Sequence, residues 1–249
     1  MSALSELTVL GSPFYRIAWL FVAYSFVGVV VEVALFAACE SVLEPRTGLL
    51  YLPLRPLYGL GGCAFAVLLR PVVGRPVLVF VLGAAVATVL EYLASLLTEL
   101  LFGAVSWDYR NKPLNVHGRI CLAYSLCWGA LALVAVFILD RPLLALLAAV
   151  PHSVGEVGLG VLLVVVLMSA VLTAAALRRI RARVETLRSY GSDGRAAPHG
   201  GSWDRLVARL APERGLIDTF PRMSLVVELL ALTGQRRTWV PLRRRRRSW

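Results

Sequence analysis

The sequence predicts an all-α, polytopic membrane helix bundle of about five transmembrane helices with a basic C-terminal tail. Three observations carry that reading. Of the 249 residues, 58% are apolar and 16% charged, with a mean hydropathy of +0.73, which lies outside the range of ordinary water-soluble domains. Several apolar runs are long enough to cross a bilayer. The charge is also unevenly divided. Residues 1–177 hold nine basic and nine acidic residues, whereas residues 178–249 hold 17 arginines against six acids, so the whole net charge of +11 lies in the tail. The expected division is therefore a transmembrane domain at 1–177 and a basic, partly disordered cytoplasmic tail at 178–249. Positive charge collects on the cytoplasmic side, where the lipid is anionic. This places the chain in the cell inner membrane with its C-terminus cytoplasmic.

A hydrocarbon core about 30 Å thick takes about 20 helical residues at ~1.5 Å each. Phe14 to Ala38, Pro76 to Phe102, Gly118 to Leu139 and Val157 to Leu177 meet that length. The first run is too long for a cleaved secretory h-region and reads as a retained span. Leu57 to Leu69 is apolar but short, is preceded by Pro53, Arg55 and Pro56, and contains Gly59, Gly61 and Gly62. Freed backbone groups must be satisfied inside a membrane, so this reads as a broken or re-entrant approach to a short second span. Leu143 to Val150 is too short to cross and is expected at the surface, followed by a turn at Pro151 to Gly158. Five spans with Arg178, Arg179, Arg181 and Arg183 inside place the N-terminus outside. Trp107 and Tyr109 in the third loop suit an interfacial aromatic belt.

Ionisable groups inside spans are costly, at least ~2.5 kcal/mol for a charge at mid-membrane, and usually face the bundle interior with a partner. Glu91, Ser95 and Glu99 recur at steps of four, and Ser25, Gly28 and Glu32 at steps of three and four, so each set shares one helix face. Arg55 and Arg119, at span entrances, are the expected cationic partners, because long side chains can reach inward. Glu32, Arg55, Tyr58, Glu91, Glu99 and Arg119 are thus read as one polar cluster that binds substrate or holds the helices together. Cys39, Cys63, Cys121 and Cys127 are scattered through apolar segments and read as small core residues. No metal, cofactor or catalytic group is expected.

Several strings resemble a known family. They are Tyr24-Ser25-Phe26-Val27-Gly28 with Glu32, Arg46-Thr47-Gly48-Leu49 leading into Pro53 to Gly61, and Glu91-Tyr92-Leu93-Ala94-Ser95 with Glu99. Trp107-Asp108-Tyr109, Pro113 to Leu122 and Ser125 to Gly129 follow in order. Over about residues 15 to 140 the chain resembles the CmpB-like family of ABC-transporter permeases (ABC-transporter type IV), bacterial multi-pass membrane proteins. It departs from the family pattern at Val29, where a Trp is usual, at Leu52, where a Gly precedes the loop proline, and at His117, where an Asn is expected. The resemblance implies a permease-like transport subunit. The sequence contains no G-x-x-x-x-G-K-[ST] phosphate loop and a single lysine, Lys112, so an ATPase would be a separate subunit. The loop carrying Trp107, Asp108, Tyr109, Asn115 and His117 would be its docking element. A non-transport scaffold or assembly factor is the alternative. Less favoured is a lipid-modifying enzyme using His117 as acid or base.

In the tail, Trp203, Leu206, Val207 and Leu210 share a helical face, Met223 to Leu232 is a second helical candidate, and Gly191 to Gly201 and Ala211 to Gly215 read as linkers. Arg243 to Arg247 between Trp239 and Trp249 combine charge with interfacial aromatics. The expected partners are the lipid bilayer including its anionic lipids, the separate ATPase subunit and a second copy of the chain. No nucleic acid is expected.

Overall fold

The structure, a computed structural model, describes residues 8–9, 12–40, 48–190, 201–220 and 223–234. The protein is an all-α membrane helix bundle. A minimal pair of strands, β1 (Thr8–Val9) and β2 (Ser12–Pro13), precedes helix α1 (Phe14–Glu40). Then come α2 (Pro56–Leu68), α3 (Pro76–Phe102), the two-residue strands β3 (Asn115–Val116) and β4 (Ile120–Cys121), and α4 (Leu122–Ala149). Helices α5 (His152–Tyr190), α6 (Ser202–Leu210), α7 (Glu213–Thr219) and α8 (Ser224–Thr233) complete the order. Among the described residues, four helices are long and apolar enough to cross a membrane: Phe14–Ala34 within α1, α3, α4 and His152–Ser189 within α5. Helix α2, at 13 residues, is about 20 Å long.

Two compact units divide the chain, one of Met1–Val27, Arg55–Leu97 and Trp107–Leu167, the other of Gly28–Leu54, Thr98–Ser106 and Met168–Trp249. In the first, Leu20, Tyr24, Phe65, Leu69, Val79, Ala87, Trp128 and Ala132 build the main core. Apolar side chains gain little by leaving lipid for protein, so close contact and hydrogen bonds must hold such a bundle. Helix α3 shows how. Its buried residues are Val79, Gly83, Ala87, Glu91 and Ser95, all at steps of four, and Gly83 lies directly against the Ala132 methyl of α4. Val77, Val81, Val89, Leu93 and Leu97 are exposed, an apolar outer face that suits lipid and would be a liability in water.

Three expectations are corrected. The glycines of Leu57 to Leu69 do not break the helix; α2 is continuous. Gly59 lies against Ser25 and Phe21 of α1, and Gly62 against the Tyr24 ring, so these glycines let two backbones approach. The fourth span begins at Leu122, because Asn115 to Cys121 forms a hairpin, and it does not stop at Leu139. It passes through a π turn at Ala135–Leu139 and continues to Ala149, so Leu143 to Val150 is the end of this helix. Pro142 explains the irregularity, since it lacks an N–H and crowds the carbonyl one turn back. Finally, Pro151 to Gly158 is not a turn: α5 begins at His152 and runs unbroken to Tyr190.

In the second unit Ala176, Leu177, Ile180 and Val184 pack with Val207, Leu216, Val226 and Leu229 from α6, α7 and α8. The described tail is therefore three helices packed on the end of α5. The Leu50 N–H donates to Thr173 Oγ1 at 3.0 Å, and the Leu50 carbonyl accepts the Ser169 hydroxyl. Glu213 pairs with Arg183 and lies 4.0 Å from Arg179, and Arg188 donates to Glu228 at 2.7 Å. Of the apolar face expected on α6, Val207 is buried while Trp203, Leu206 and Leu210 are exposed. Arg46, Trp239, Arg243 to Arg247 and Trp249 lie outside the described residues.

The α1–α2 packing gives a matched test inside one helix. A Cβ on Gly59 would sit 2.6 Å from the Phe21 carbonyl, whereas on Gly61 it would meet nothing within 4 Å. Gly59→Ala is expected to cost ~1–3 kcal/mol by overpacking, and Gly61→Ala to be neutral or stabilising by up to ~1 kcal/mol through helix propensity. Denaturation in detergent reads the difference, and equal stability of the two variants would refute the close approach.

Candidate functional site

The chain between α3 and α4 folds back along α3. Its core is a tight turn in which His117 and Gly118 have φ of +54° and +68°, closed by the Arg119 N–H donating to the Val116 carbonyl at 3.0 Å. Asn tolerates this left-handed region better than most side chains, which accounts for the Asn expected at position 117. The Asn115 side chain ties the hairpin: Nδ2 donates to the Arg110 and Lys112 carbonyls at 3.2 and 2.8 Å, and Oδ1 accepts the Gly118 N–H at 3.1 Å. Asp108 Oδ1 accepts the Arg110 N–H at 2.9 Å, and Trp107 Nε1 donates to the Arg119 carbonyl at 2.8 Å.

The hairpin presents its side chains to α3. Tyr109 Oη donates to Glu91 Oε1 at 3.2 Å, Arg119 Nη1 donates to Ser95 Oγ at 3.2 Å, and Tyr92 Oη lies 2.9 Å from His117 Nδ1. Glu91 is 11 residues from the C-terminal end of α3, about 16 Å by helical rise. The hairpin thus returns about three helical turns along α3. Helix α4 supplies the second donor, Trp128 Nε1 to Glu91 Oε2 at 3.1 Å. Aromatic rings close the surroundings: Tyr58 of α2 lies 5.0 Å from the Trp128 ring, and Tyr109 stacks on Tyr124 at 4.6 Å.

Glu91 is met by neutral donors. This residue is 4% exposed, and its partners among the described residues are the Tyr109 hydroxyl and the Trp128 indole. Arg119 lies one turn further along, donating to Ser95 with its guanidinium 5.7 Å from the Tyr92 ring centre. Arg55 stands before α2; its N–H donates to the Ser25 carbonyl at 2.9 Å and its carbonyl accepts from Tyr58 and Gly59. Glu32 and Glu99 fall in the second unit, Glu32 buried on α1 and Glu99 exposed near the end of α3. Asp108 and His117 form no acid–base pair, since each is engaged elsewhere.

One group escaped the sequence reading. Asp140 accepts the Tyr24 hydroxyl of α1, which also lies 3.4 Å from the Ala135 carbonyl at the π turn. The string Asp140-Arg141-Pro142 resembles a helix terminus; the signal against that was the apolar stretch after it. Trp128 carried a signal of its own, because an indole N–H inside a span needs an acceptor.

A family model described as "Putative ABC-transporter type IV" matches residues 19–174, a range that includes α2, α3, the hairpin and α4. No curated protein and no solved structure matches the chain.

The two donors on Glu91 can be tested by a double-mutant cycle. Hydrogen bonds to a charged group contribute ~1.5–3 kcal/mol, so Trp128→Phe is expected to lower stability in detergent by that order and to cost much less in a Glu91→Gln background. Purely additive effects would show that the indole and the carboxyl do not interact.

Proposed function

Because the chain belongs to the family described as "Putative ABC-transporter type IV", we propose that it is the membrane-spanning, permease-like subunit of a transport system, with Glu91 at its interior polar site. The observation that supports this most is the neutral company of that carboxylate. An ionisable group buried in an apolar bundle, with neutral groups as its described partners, is a functional-site candidate by default. Glu91 has two neutral donors, both aimed at its oxygens, and a carboxylate so placed is suited to take up a proton or a cation. Deep hairpins that return to mid-membrane are a means by which transport proteins line a polar path, since irregular backbone at that depth is tolerated only against protein or water.

The sequence has no phosphate-binding loop of the G-x-x-x-x-G-K-[ST] type, so nucleotide hydrolysis falls to a separate chain. The topology that goes with this reading has five crossings, counting the short α2, an N-terminus outside and the arginines after Leu177 on the cytoplasmic side of the inner membrane. The tail then lies beside anionic lipid.

Substrate-dependent flux in proteoliposomes, with and without the cognate ATPase, tests the role. Glu91→Gln is expected to abolish flux while keeping the thermal midpoint in detergent within the equivalent of ~1 kcal/mol. A variant that unfolds, with its residual folded fraction transporting normally, would make Glu91 structural. Reporter fusions at the N-terminus and between Tyr190 and Gly201 are expected on opposite sides; a shared side removes the odd number of crossings.

A further inference from the structure

A second polar position lies far from Glu91 in sequence, at the start of α1, the end of α4 and the start of α5, all within the first unit. A cavity of about 610 Å³ opens there, lined by Tyr15, Arg16, Leu144, Leu147, Val150 and His152 among others, within the ~300–1,000 Å³ usual for small-molecule sites. Its character is divided. Leu144 and Leu147 of α4, with Val150 just beyond it, form an apolar wall, while Arg16 and His152 supply polar groups at the helix ends. The Arg16 guanidinium interacts electrostatically with Asp140, whose carboxylate already takes the Tyr24 hydroxyl. His152 stacks on Tyr15 with ring centres 4.6 Å apart, and its Nδ1 lies 3.4 Å from Glu156, so Nε2 is the polar atom left over. The Tyr15 hydroxyl is buried without a hydrogen-bond partner among the described residues, as is the Trp19 indole N–H one turn along α1.

We propose that this cavity binds the phosphate group of a membrane phospholipid, with Arg16 and His152 on the phosphate and the α4 wall against the glycerol and acyl chains. Three considerations converge. Arginine presents a planar fork of donors that matches phosphate oxygens. A half-buried guanidinium whose opposing charge, Asp140, already accepts the Tyr24 hydroxyl retains donors for a further acceptor. And the junction of three helix ends, with Tyr15 and Trp19 beside it, is where headgroups lie.

The test uses the full-length protein in detergent, following its thermal midpoint while titrating dihexanoyl phosphatidylglycerol, dihexanoylglycerol, which lacks the phosphate, or inorganic phosphate. Only the phospholipid is expected to raise the midpoint saturably. Arg16→Gln is expected to weaken its apparent affinity at least tenfold and His152→Gln by a smaller factor, with Arg75→Gln, an exposed arginine outside the cavity, unchanged. If Arg16→Gln does not fold, the His152 variant and the three ligand arms still decide. An equal shift with dihexanoylglycerol, an unchanged affinity in the cavity variants, or equal weakening in Arg75→Gln would overturn the proposal. A saturable response to inorganic phosphate alone would make the ligand a free anion and overturn its lipid source.

Discussion

Placing a carboxylate midway along an apolar helix obliges the rest of the molecule to reach it. Glu91 is buried among apolar helices, and a buried charge is tolerated only where polar atoms are brought to it. For Glu91 they come from two directions. Helix α4 packs close enough to α3, by way of Gly83 against Ala132, for the Trp128 indole to contact one oxygen. The hairpin returns by about three turns of helix for Tyr109 to contact the other. The turn at His117 and Gly118 and the Asn115 tie are local devices, but their effect is to hold a phenol at mid-helix. Much of the first unit can be understood as support for one acidic side chain.

The sequence made the helices legible because apolar length is a one-dimensional property that needs no knowledge of neighbours. It made the stripe on α3 legible for the same reason, though only in part. Steps of four advance about 40° beyond a full turn, so the stripe winds around the helix: Gly83 meets α4, Glu91 meets Trp128 and the hairpin, Ser95 meets Arg119, and Glu99 has turned to an exposed position. The partner of Glu91 was not legible. Tyr109 is 18 residues away and Trp128 37, and nothing in local periodicity distinguishes a loop that lies on the surface from one that folds inward. The glycines of α2 were misleading in an instructive way. A residue without a Cβ weakens a helix in isolation and permits contact between helices, and only the neighbour decides which effect prevails.

Charge counting on the tail was similarly incomplete. Arithmetic over residues 178–249 treats every arginine as available to lipid, yet Arg183 and Arg188 are engaged with Glu213 and Glu228. These exposed pairs are worth little individually, ~0–1 kcal/mol. Their role is to orient α7 and α8 against α5, where Leu216, Val226 and Leu229 do the packing. A run of basic residues after a span can thus be both a topological signal and the anchor of a small helical layer.

The π turn at Ala135–Leu139 bears on how this protein could change over evolutionary time. Such a turn holds one residue more than the α-helix around it, so α4 carries a built-in surplus. Removing a single residue within 135–139 would take up that surplus and leave Trp128 on one side and Leu144 on the other still facing their present neighbours. The same deletion within Leu122–Val134 would rotate everything beyond it by about 100° and turn the apolar and polar faces out of phase. Length variation among related chains should therefore concentrate at this one turn, and alignments that place a gap elsewhere in α4 would misassign every residue that follows.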